Sequence, residues 1–210
     1  MAVNQGGRAR RRLSTEQRRE QLLSVGARLF SESPYDDVWI VRKKGLGLML
    51  GIKGEKKPLP FIEDAGIPVE VLPEYIDQVL KICAKYHTEV SMYAHASVGV
   101  IHVRPILDLR REEDIENLKK IAEETFELVM KYGGSWSGEH GDGRLRAEFI
   151  EQMIGSENYE ILKRIKSTFD PENIFNPGKI IAAPPMDESL RYKPGRKEPE
   201  ISTLMDFSDT

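Results

Sequence analysis

The stretch EVSMYAHASVGVIHVRPIL, residues 89–107, limits the fold more than any other part of the chain. It is dominated by β-branched and small residues, which suit a pleated surface, and it reads as one long or two short strands. Helical patterns bracket it. Before it, PEYIDQVLKICAKYH carries a proline near its start, where a missing N–H is tolerated, and lays Ile76, Val79, Leu80 and Cys83 on one stripe. After it, residues 112–132 crowd acidic side chains into a first turn and bring Ile115, Leu118, Ala122 and Val129 near one face. Gly133 and Gly134 stop that helix. FIEDAGIP, residues 61–68, reads as a short strand running into a turn, and two shorter helical stretches follow around 146–154 and 157–168. The expected class is α+β: a small antiparallel sheet with helices on one face, preceded by an isolated N-terminal helix.

The flanks differ in texture. Residues 1–12, MAVNQGGRARRR, read as a disordered basic tail, and residues 13–40 as a helical segment. There Ser14 and Gln17 form a capping box, Leu22, Val25 and Leu29 recur at helical spacing, and Pro34 disfavours continuation. RKKGLGLMLGIKGEKKPLP is expected to be loop-rich. Its glycines lack the strand–turn–helix setting of a phosphate cradle. A main domain is expected over 41–182, with a turn-rich FDPENIFNPGKI at 169–180. The proline-rich tail 183–210 is expected to wrap the surface or be disordered.

Composition narrows the function. A chain of 210 residues, 40% hydrophobic and 31% charged, is that of a globular protein with one or two domains and a core of useful size. The net charge of −3 argues against nucleic-acid binding by the chain as a whole. No apolar run reaches membrane-spanning length, and the basic N-terminus lacks the apolar segment of a secretory signal. One cysteine, Cys83, excludes an internal disulfide and suits the cytoplasm. Its place on an apolar helix face makes it core, while His87, just past that helix, is expected to be exposed or capping.

Three of the four histidines fall in YAHASVGVIHVRP, residues 93–105, and SGEHGDG, residues 137–143. Imidazole and carboxylate suit zinc, iron or manganese. Yet residues seven apart in one straight strand face opposite sides, so His95 and His102 need a bend at Gly99 to share a centre. Glu139 and His140 could divide metal binding and proton transfer, and flanking glycines allow close approach. A metal and acid–base site and ordinary strand and turn histidines both fit this spacing. Trp136 is open in the same way, between a pocket wall and simple packing.

YAHASVGVIHVRP, SGEHGDG and FDPENIFNPGKI, in that order, resemble the C-terminal part of FAD-linked oxidases of the vanillyl-alcohol-oxidase type. The resemblance lies in the branch holding D-lactate, glycolate and D-2-hydroxyglutarate dehydrogenases. It runs from about residue 39 to residue 192 and includes VRKKGLGLMLGIKG and FIEDAGIP. It implies oxidation of a D-2-hydroxy acid, D-lactate-like, to the 2-oxo acid with FAD. It implies that His95 and His102 bind a divalent metal, that Glu139 is its carboxylate ligand, and that His140 is the catalytic base for the hydroxyl proton. Arg42 matches an arginine that pairs with the substrate carboxylate, and Asn176 and Lys179 fall in the segment that returns to the flavin. Arg104 departs from the pattern, since many relatives carry Asn two residues after the second histidine.

Family members of this kind bind FAD mainly through an N-terminal domain of roughly two hundred residues, and nothing before residue 40 resembles it. Residues 8–40 instead resemble the first helix of TetR-type regulators, without the helices that read DNA. The chain therefore reads as a junction of two incomplete parts. It is expected to be weak or inactive alone and to need an FAD-domain or electron-acceptor partner, while Leu22, Val25 and Leu29 must either pack elsewhere or invite self-association. A truncated TetR-like regulator and a non-catalytic metal-binding or interaction protein are the competing readings. The negative charge and missing helices disfavour specific DNA binding.

Overall fold

The computed structural model describes residues 35–197 and, before them, Glu20, Ser24, Arg28 and Ser31. The basic tail, the Ser14–Gln17 cap, the Leu22, Val25 and Leu29 stripe, and residues 198–210 lie outside the described residues. The chain forms two compact units, Met1–Gly51 and Ile52–Thr210. In the first, helix α1 spans Tyr35–Leu50, and the Gly51 N–H donates to the Gly47 carbonyl at 3.0 Å as it ends. The loop expected from Arg42 onward is therefore helical as far as Leu50. Gly45 and Gly47 each cost about 1 kcal/mol of helix propensity, but they stand among lysines, leucines and a methionine, which favour it. Among the described residues, no helix is long and apolar enough to cross a membrane.

The second unit is built on a four-stranded antiparallel sheet: β1 (Lys57–Pro58), β2 (Asp64–Gly66), β3 (Val90–His95) and β4 (Val100–Leu107). β4 is central. β1 and β2 pair with it at Lys57↔Leu107 and Asp64↔His102, and β3 pairs with it from Val90↔Pro105 to His95↔Val100. A proline in a central strand normally loses a ladder bond. Here the Pro105 carbonyl accepts from the Leu59 N–H at 2.9 Å, on the edge where β1 has ended and β2 has not begun. The missing donor thus faces a gap in the sheet.

Alternation sorts β4 into two faces. Ile101, Val103 and Leu107 enter the core with Leu72, Tyr75, Val79 and Cys83 of α2 (Leu72–Lys85) and Leu118, Ile121, Ala122, Phe126 and Val129 of α3 (Glu112–Lys131). His102 and Arg104 fall on the other face. The α2 stripe lies slightly off its expected position: Tyr75 is buried and Leu80 is exposed. Helices α4 (Ile150–Ile154) and α5 (Ser156–Phe169) follow. Within 183–197, the tail runs over the surface but anchors Met186 in the core.

Burial pushes the Cys83 thiol up to about 11, so at pH 8 it is protonated and poorly nucleophilic. Iodoacetamide is expected to label Cys83 only after denaturant unfolds the chain. Rapid labelling of the folded chain at pH 8 would mean that α2 opens locally.

Candidate metal and acid–base site

Two strands, not one, carry the first histidines. A 3-10 turn over Ala96–Val98 closes the β3–β4 hairpin, and Gly99 completes it at φ 74°. A Cβ at Gly99 would stand 1.9 Å from the Ile67 carbonyl oxygen, so glycine is required both for the backbone angle and for the contact. In the resulting register Tyr93 faces His102 and His95 faces Val100. Side chains two apart share a face, so His95 and His102 are diagonal neighbours on the side away from the helices. Their ring centroids are 5.3 Å apart. Tyr93 stacks on His102 at 4.3 Å and fixes its plane.

The glycine-rich loop after α3 brings the other two groups. Ser135 pairs with Gly66 through N–H to carbonyl bonds of 2.9 and 2.8 Å, and the Gly138 N–H donates to the Asp64 carbonyl at 2.7 Å. The loop thus covers the free edge of β2 and delivers Glu139 to the histidines. Glu139 Oε1 is 3.6 Å from His95 Nε2, and its Oε2 is 3.5 Å from His102 Nε2 and 3.6 Å from His140 Nε2. Ligand atoms of His95, His102 and Glu139 all lie within 4.8 Å of one another. Tetrahedral ligands about 2.1 Å from an ion stand about 3.4 Å apart, which is close to the spacing found here.

His102 is buried at 2% exposure, and neither of its ring nitrogens has a hydrogen-bond partner among the described residues. Burial holds its pKa below the ordinary histidine value. The Glu63 and Glu139 carboxylates oppose that shift, and His95 and His140 add to it. The ring is therefore neutral near pH 7, the form that binds a metal. An unpartnered buried nitrogen aimed at a half-exposed carboxylate fits a cation between them.

Sequence reasoning missed the supporting layer. Glu63 places Oε1 3.4 Å from His102 Nδ1 and also pairs with the buried Arg104, whose Nε donates to it at 3.2 Å. Arg104 is thus neutralised by a carboxylate beneath the histidine. Asp64, fully buried, accepts N–H bonds from Glu139 and His140 at 2.7 Å each, a hydroxyl from Ser137 at 3.1 Å, and the Arg146 guanidinium. Burial alone would raise its pKa. The His140 N–H, Arg146 and the Glu139 N–H outweigh that and hold it well below the usual carboxylate range. The available signal was two adjacent acids inside an apolar strand, where a charge must find partners.

The remaining expected site residues have surroundings of their own. Arg42 lies on α1 in the first unit, its guanidinium 5.5 Å from the Trp39 ring centroid. Lys179 donates to Asn176 at 3.0 Å. Both line a groove of about 570 Å³ walled by Leu162, Ile165, Phe169 and Phe175. Trp136 is 2% exposed and packs edge-on against Phe126 and Phe149, so it belongs to the core. His87 is exposed, at φ 51° just beyond the end of α2.

Comparison with known proteins adds a lineage to this geometry. The family model for the C-terminal domain of FAD linked oxidases matches residues 5–180, a span that includes the segment resembling a regulator helix. D-2-hydroxyglutarate dehydrogenase of Haemophilus influenzae is 40% identical over 157 residues, 74% of this chain and 15% of that protein. The Escherichia coli protein of the same name is 38% identical over 153 residues, 73% of this chain and 15% of its own length. Glycolate oxidase subunit GlcD of Bacillus subtilis is 33% identical over 126 residues, 60% of this chain and 27% of that subunit. The matched part of the chain therefore spans between about a seventh and about a quarter of the length of these relatives.

Proposed function

Because the chain belongs to the family of C-terminal domains of FAD linked oxidases, we propose that its histidine–glutamate cluster is the metal- and substrate-handling part of a flavin-dependent 2-hydroxy-acid dehydrogenase. The observation that carries this reading is the convergence of three imidazole Nε2 atoms on the Glu139 carboxylate, at 3.5–3.6 Å, with the His102 nitrogen buried and unpartnered. The names of the relatives support the substrate class, since D-2-hydroxyglutarate and glycolate are both 2-hydroxy acids.

His95, His102 and Glu139 would hold the ion, and their donor set suits zinc, iron or manganese. A bound ion would supply positive charge that polarises the hydroxyl. Bound FAD would supply the redox chemistry, accepting the hydrogen on the hydroxyl-bearing carbon together with the two electrons of the oxidation. His140, half-exposed beside Glu139, accepts the hydroxyl proton and passes it to solvent. Arg42 offers a planar fork for the substrate carboxylate. Asn176 and Lys179, on one apolar-walled groove, offer FAD an amide and an ammonium.

The test is calorimetry on the purified chain with Zn2+ and then with D-lactate, glycolate and D-2-hydroxyglutarate. About one ion per chain is expected, with hydroxy-acid binding seen in the loaded chain and lost after EDTA. Arg42→Lys, which keeps the charge and loses the fork, is expected to weaken hydroxy-acid binding and leave Zn2+ binding unchanged. Equal hydroxy-acid binding by the stripped and loaded chain would sink the metal's role.

A further inference from the structure

Glu139 and His140 sit in a loop with Gly138 before them and Gly141 and Gly143, at φ 73° and 58°, after them. Ordering each residue of such a segment costs about 1–2 kcal/mol in backbone entropy. A ligand and a base on a freely moving loop would spend much of any ion's binding energy on that ordering. One residue meets this problem from several directions. Asp64 Oδ2 accepts the Glu139 and His140 N–H groups and the Ser137 hydroxyl, while its Oδ1 meets Arg146. The same guanidinium donates to the Trp136 carbonyl at 3.2 Å and to the Gly141 carbonyl, so both ends of the turn are tied to one group. The Asp64 backbone adds the bond from the Gly138 N–H. Asp64 is also the residue of β2 that stands opposite His102. A single buried side chain thus joins the strand that carries one ligand to the loop that carries the next.

We infer that Asp64, clamped by Arg146, is a positioning residue that sets Glu139 and His140 in place before any ion arrives. This deepens the metal and acid–base reading and rests on it. Supporting groups of this kind typically change metal affinity by about 10–100-fold when removed.

The test is Zn2+ calorimetry on the full chain. Asp64→Asn keeps the size but presents an amide that cannot satisfy two N–H groups and a guanidinium together. Its affinity is expected to fall at least about tenfold with far-UV circular dichroism unchanged. Ser137→Ala removes one hydroxyl bond to the Asp64 carboxylate but leaves both N–H bonds and the guanidinium, and is expected to cost less affinity than Asp64→Asn. If Asp64 acts through Glu139, the double variant Asp64→Asn, Glu139→Gln binds no worse than Glu139→Gln alone, whereas a merely structural effect would add. A second measurement needs no variant. In the EDTA-treated parent chain the Glu139 and His140 amides are expected to exchange slowly although their side chains are exposed. Unchanged affinity in Asp64→Asn, or exchange of those amides at free-loop rates, overturns the inference and leaves the metal reading standing. A parent chain that binds no Zn2+ overturns both.

Discussion

A His102→Ala variant is expected to lose about a hundredfold or more in Zn2+ affinity while keeping its helical circular dichroism. Four-ligand zinc sites hold their ion by about 10–16 kcal/mol, so one ligand accounts for about 3 kcal/mol, or about two decades. His102 should stand above that average, because little of its binding energy goes into ordering. Tyr93 stacks on the ring at 4.3 Å, Glu63 faces its other nitrogen, and the side chain is buried. His95 has a side chain 41% exposed, so it loses more freedom on binding, and His95→Ala is expected to cost less than His102→Ala. Glu139→Gln keeps an oxygen and loses the charge, and it belongs with the larger effects. The readout is calorimetry with Zn2+, checked by the visible absorption of Co2+ bound to the same ligands. If all three variants bind as the parent does, the cluster is not where the ion sits.

How far the residues announce this site depends on the kind of order involved. The helices α2 and α3 were legible because burial repeats every three to four residues, and Val79, Cys83, Leu118, Ala122 and Val129 are all buried as that period requires. The strand-rich stretch was legible as strand, and the resemblance marked its histidines. Spacing alone did not say that seven residues would bring His95 and His102 to one face. That needed a four-residue turn ending at Gly99, a local backbone event with a weak signal. The segment after Arg42 carries glycines that read as loop, but the lysines, leucines and methionine around them favour helix, and α1 runs on to Leu50. Trp136 is a packing residue, set by ring contacts with Phe126 and Phe149, which come from the helix before it and the 3-10 turn after it. Least legible were Glu63, Asp64 and Arg146. Their partners are 39, 76 and 82 positions away or nearly so, as with His102 for Glu63 and His140 and Arg146 for Asp64. No local pattern encodes such pairings; a buried charge says only that a partner exists.

The second large effect follows from that buried pair. Arg146→Met is expected to destabilise the second unit by about 3 kcal/mol, because removing one partner of a buried ion pair leaves the other charged and costs about 3–5 kcal/mol. Asp64 is fully buried and Arg146 is 5% exposed, so solvent cannot replace the lost contact. The figure belongs at the lower end because Asp64 keeps the Glu139 and His140 N–H groups and the Ser137 hydroxyl. Against a total stability of about 5–15 kcal/mol, the loss should move a urea midpoint well outside error. A surface pair provides the contrast. Lys85, with a side chain 60% exposed, meets Glu124 at 2.6 Å, and Lys85→Met is expected to leave the urea midpoint within error of the parent. The double variant Asp64→Asn, Arg146→Met removes the stranded charge as well. It is expected to be less destabilised than the sum of the single variants, with a coupling of about 1–3 kcal/mol. Additive losses would mean that Asp64 and Arg146 act through separate neighbours. An Arg146→Met variant as stable as Lys85→Met would mean that water reaches Asp64 and that the clamp contributes little to the fold.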